Sequence, residues 1–147
     1  MNVKEGVKEL ILSYGKNLAE LEPINTKLIE YKLKLKAQII KTLSLDVDKS
    51  TKEEMFKDML EGVNEAVAEI AKEMDTQNER MIERYMLFFE STSEVLKEFM
   101  EGDYIEDKHE LSQTLGKISK ILEKLRLDLK EKQKGILKFI RRLIFRT

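Results

Sequence analysis

Apolar residues return at steps of three and four from one end of this chain to the other, and that spacing leaves little open to it except helices. Val3, Val7, Leu10, Ile11, Tyr14, Leu18 and Leu21 fall on one helical stripe, with lysines and glutamates opposite. Beyond Pro23 the stripe resumes with Ile24, Leu28, Tyr31, Leu35, Ile39, Ile40 and Leu43. Pro23 lacks an amide and restricts Glu22, so the chain either kinks there or turns between Glu22 and Thr26. Ser50 and Thr51 stand three residues ahead of Glu53 and Glu54, the spacing of reciprocal hydroxyl and carboxylate caps, which predicts a helix start. From there Met55, Met59, Val63, Val67, Ile70, Met74, Met81, Tyr85, Phe88, Val95 and Phe99 keep phase to Met100, interrupted only by Gly62. They predict one central helix of about 50 residues, roughly 75 Å long.

Gly102 and Asp103 close that element, and a last helix carries Leu111, Leu115, Ile118, Leu122, Leu125 and Leu129 at alternating steps of four and three, a heptad seam. Lys132 falls where the next apolar residue is due, and Ile136 takes up the pattern beyond Gly135. The expected fold is therefore all-α: a single domain forming an elongated antiparallel helical bundle or coiled coil, with helices at about 2–22, 24–45, 52–101 and 108–145. Residues 135–147 form a basic amphipathic C-terminal segment.

Composition agrees with long solvated helices. Among 147 residues there is one proline and no tryptophan, and 37% are charged. With no cysteine, disulfides, thiolate metal sites and thiol nucleophiles are excluded. The N-terminus has no basic region followed by an apolar run, and no stretch approaches the roughly 20 apolar residues of a membrane span. The expected location is the cytoplasm, or peripheral to the inner face of a membrane.

Charge is unevenly placed. Residues 1–52 hold 10 basic and 7 acidic groups, 53–110 hold 6 and 18, and 111–147 hold 11 and 3, giving nets of +3, −12 and +8. An acidic middle between basic flanks suggests that these segments lie side by side, with charge selecting the arrangement that apolar burial stabilises.

In the C-terminal segment Ile136, Leu137, Phe139, Ile140, Leu143 and Ile144 gather on one arc, with Lys138, Arg141, Arg142 and Arg146 opposite and Phe145 among the charges. A cationic helix of this kind can finish the bundle, dock in a partner's groove, or lie on an anionic membrane surface. Nucleic acid is the weakest fit, because tracking phosphates needs no wide apolar arc.

His109 is the only histidine. With Glu106 it has the Glu-x-x-His spacing used by di-iron bundles, where a second pair and two further glutamates are needed, so only a symmetric dimer could complete a site. The run His109-Glu-Leu-Ser-Gln-Thr-Leu-Gly-Lys-Ile118 resembles, over ten residues, the phospho-accepting histidine box of sensor kinases, with Thr114 in place of the usual proline. That resemblance implies a phosphate on His109 and Glu110 as acid or base. In size and composition the chain is also similar to small all-helical, acidic chaperones of secretion systems, without a shared motif. No phosphate loop, nucleophile elbow or calcium loop is present, and no enzyme activity or cofactor is expected. The expectation is a non-enzymatic, chaperone-like adaptor or scaffold that binds helical protein partners through its seam and tail and forms a homodimer. A peripheral membrane protein is the alternative, and phosphotransfer or metal binding at His109 a remote one.

Overall fold

The computed structural model describes residues 2–145. It contains five helices and, among those residues, no strand: α1 (Val3–Gly15), α2 (Ile24–Leu43), α3 (Lys49–Lys72), α4 (Glu79–Glu101) and α5 (His109–Phe145). The predicted central helix is two helices. Asp75 accepts a hydrogen bond from the Gln77 amide, and Asn78 caps α4 by accepting one from the Met81 amide, so the polar run from Asp75 to Asn78 turns the chain. The first helix also stops early. It ends at Gly15, and residues 16–23 form a turn that delivers Pro23 to the N-cap of α2, which resolves the choice between kink and turn. At the start of α3 the cap is Asp48, whose carboxylate accepts from the Thr51 amide, so the helix begins ahead of the expected Ser50 and Thr51.

Ion pairs set the register. Lys4 and Lys8 of α1 reach Glu65 of α3, while Lys16 reaches Glu69 and Glu73, so these two helices run parallel. Lys32 and Lys36 of α2 meet Glu94 and Glu98 of α4 in the same sense. Arg126 of α5 faces Glu90, whereas Lys108 at the start of α5 donates to the Met100 carbonyl, so α4 and α5 are antiparallel. Consecutive helices thus alternate in direction, while α1 with α3 and α2 with α4 are parallel neighbours. Packing closes a ring in the order α1, α2, α4, α5, α3, and α2 meets α3 across it. Most of these pairs join a basic flank to the acidic middle of the sequence. Because they are exposed to solvent, which screens them, they select the arrangement more than they stabilise it.

Stability comes from the interior. Val7, Ile11, Leu35, Met59, Val63, Ile82, Phe99, Leu111 and Ile118 are buried along the axis, and Tyr14, Tyr31, Phe88 and Phe89 form a chain of ring contacts with centroids 4.9 to 5.4 Å apart. The Tyr31 hydroxyl shares a 2.7 Å hydrogen bond with Thr92, which satisfies it in a buried position. Tyr85, Phe88 and Phe89 need burial on more than one side, and α4 provides it by lying between α2 and α5.

Two residues fix the close contacts. Gly62 faces α1 so tightly that a Cβ there would collide with the Lys4 carbonyl oxygen. Arg84, only 6% exposed, donates from Nη1 to the carbonyls of Leu18 and Leu21 and from Nη2 to Glu22, tying the α1–α2 turn to α4.

Candidate functional site

Helix α5 has 37 residues against 24 in α3 and 23 in α4. At about 1.5 Å per residue it reaches roughly 55 Å, some 20 Å more than its neighbours. Lys132 marks where it leaves them, donating to Gln77 in the turn between α3 and α4. Every residue from 133 to 145 is exposed.

The two sets of residues expected to bind partners lie on this one helix but in different surroundings. Leu111, Ile118, Leu122 and Leu125 of the seam are buried, and Leu115 and Leu129 are partly covered and pack on the same core. Their cover comes from α4, and from α3 to a lesser extent, within the same chain. Thr114 is buried beside them and donates to the Glu110 carbonyl. The tail is the opposite. Ile136, Leu137, Phe139, Ile140, Leu143 and Ile144 are between 43 and 63% exposed, and Phe145 is 81% exposed. Lys138, Arg141 and Arg142 are exposed as well, while Arg146 lies outside the described residues. The tail therefore does not finish the bundle core, one of its three expected roles.

One line of residues joins the two regions. Leu115, Leu122, Leu129, Ile136 and Leu143 follow each other every seven positions, two turns of helix, and so stay within about 20° per step of the same face. Along that line exposure rises from 6% at Leu122 to 49% at Ile136 and 59% at Leu143. The face that packs α5 into the bundle continues past the bundle's end. Compared with protein-family models, curated proteins and solved structures, the chain matches none. The geometry of α5 is thus the best guide to function.

Electrostatics of the overhang are one-sided. From Lys132 to the last residue there are six basic side chains and no acidic one. Cations near a helix C-terminus also complement its dipole. The overhang thus presents an apolar stripe edged by positive charge.

His109 is exposed in the first turn of α5, its amide donating to the Asp107 carboxylate. Glu106 lies in the preceding loop, paired with Lys49 and outside the helix, so the Glu-x-x-His run does not form one helical turn. Among the described residues no group of three or more His, Asp or Glu is placed to hold a metal ion, and no helix is long and apolar enough to cross a membrane.

Proposed function

We propose that this protein is a non-enzymatic helical adaptor or scaffold, chaperone-like in lacking a reaction of its own, which holds a helical partner protein against the overhanging part of α5. Supporting this reading is the continuity of one apolar face from inside the bundle to the exposed residues Ile136, Ile140 and Leu143. Contiguous exposed apolar surface edged by charge marks an interaction site in a folded protein. The seam from Leu111 to Leu129 serves the chain's own bundle, so the tail is the binding segment, with Lys138, Arg141 and Arg142 steering an acidic-rimmed partner.

A protein surface fits the geometry better than a bilayer. The apolar face of the overhang points to the side of α5 on which the bundle lies, so a flat membrane pressed along that face would run into the bundle's end. A second helical body can fill the same corner. The test is a photo-crosslinking residue at Ile140 in the full chain expressed in cells, together with flotation of the purified chain on vesicles containing anionic lipid. Protein adducts and no flotation are expected. Flotation that is abolished by Ile140→Asp with Leu143→Asp would replace this reading with membrane attachment.

A further inference from the structure

At the end of the bundle opposite the overhang, the first turns of α3 and the segment leading into α5 enclose a cleft of about 230 Å³. Phe56, Leu60 and Ile105 form its floor, and Glu53, Glu54, Asp107 and Glu110 stand around it, against the single cation Lys57. Lys57 is already paired with Glu110 at 3.7 Å. The cleft is thus apolar below and acidic at the rim, the complement of the tail. Its volume exceeds the roughly 150 Å³ that admits a benzene ring, enough for a side chain such as Phe139. Its α3 wall, Ser50 to Leu60, is about 15 Å long at helical rise, against about 20 Å of overhang.

Resting on the docking role argued for the overhang, we propose that the partner is a second copy of this chain: the tail of one molecule seats in the acidic cleft of the next, so that the protein assembles head to tail. Charge selects this arrangement over the symmetric one. Laying two tails against each other would bring together two helices that each carry Lys132, Lys134, Lys138, Arg141 and Arg142, with no acid between them. Orientation agrees with it too. Since α3 and α5 run in the same direction, stacking a second bundle on the end from which α5 emerges puts that bundle's α3–α5 cleft beside the overhang, whose apolar face already points to that side. Tail and cleft lie at opposite ends, so one copy cannot satisfy itself. A contact between unlike surfaces grows into an open filament or closes as a ring.

The experiment is sedimentation velocity on the full chain and two variants, one with a disabled tail (Ile140→Asp with Leu143→Asp) and one with a disabled cleft (Glu53→Lys with Glu54→Lys). All four side chains are exposed or half-buried, and thermal melts by circular dichroism verify that both variants fold. The parent chain should gain mass with concentration and lose it in high salt. Each variant alone should remain monomeric, and an equimolar mixture should form a one-to-one dimer and nothing larger, because only one productive tail and cleft remain. A parent chain that is monomeric at every concentration overturns the proposal, as does a cleft variant that associates like the parent. Should the purified chain stay monomeric while position 140 still crosslinks to other proteins in cells, self-assembly fails and the adaptor reading stands. Absence of both removes both.

Discussion

Gly62 and Gly116 are both helical glycines, and alanine should move them in opposite directions. A methyl at Gly62 meets the Lys4 backbone oxygen, which has no soft side chain to give way. Gly62→Ala should lower stability by about 1–3 kcal/mol, the usual cost of overpacking. Around Gly116 nothing lies within 4 Å of the added methyl, so Gly116→Ala should raise stability by about 0.5–1 kcal/mol through helix propensity. Urea denaturation of the two variants checks both signs. Arg84→Met should cost about 2–3 kcal/mol, since it leaves the Leu18 and Leu21 carbonyls without their donor. None of this was legible in the sequence. Between Glu83 and Tyr85 an arginine reads as a solvated charge, and its burial depends on a turn more than sixty residues away.

The helices themselves were legible in type, but two of their boundaries were not. Met74 and Met81 are seven residues apart, two turns of helix, so the apolar stripe stays in phase across a break that contains no helix. The hidden signal was polar: Asp75, Thr76 and Asn78 are turn and cap formers in consecutive reach. Likewise Leu18 and Leu21 continue the spacing of α1, but they are held inward by a turn that Arg84 braces. The last helix is expected at about 108–145 and is found at His109–Phe145: Lys132 interrupts one heptad line, but the line from Leu115 to Leu143 runs through. Periodicity reveals which face is apolar, yet it carries no information on where the neighbours end, so the exposed tail could not be told from core. Replacing Leu137 and Phe139 by Ser should shift the unfolding free energy of the dilute chain by no more than about 0.5 kcal/mol. The same exchange at Ile118 and Leu125 should prevent folding. Thermal melts at micromolar concentration distinguish the two outcomes.

Across the whole molecule the ion pairs and the hydrogen bonds to carboxylates give stability a dependence on pH at both extremes. The Tyr14 hydroxyl and Lys34 hold the Glu30 carboxyl below its ordinary value of 4.5, Lys4 does the same for Glu65, and the Thr51 cap lowers Asp48 from 3.8. Their contribution is complete above those ordinary values and is lost as pH falls from there through the lower folded-state values. In the other direction, hydrogen bonds to Glu65, Glu98 and Glu106 raise Lys4, Lys36 and Lys49 above 10.5, so their contribution is intact below that value and disappears as pH rises through the higher folded-state values. Denaturation midpoints measured from pH 2 to 12 should show a plateau that falls at either end, and the slopes should flatten in 1 M salt. A rigid rod that crosses from the interior into solvent also transmits angle. Each residue added to α5 between Lys132 and Gly135 would swing the outer face by about 100° around the axis, while seven would carry it about 10 Å outward and restore its bearing to within about 20°. One inserted alanine should therefore abolish docking more completely than seven, an inversion of the usual rule that longer insertions do more harm.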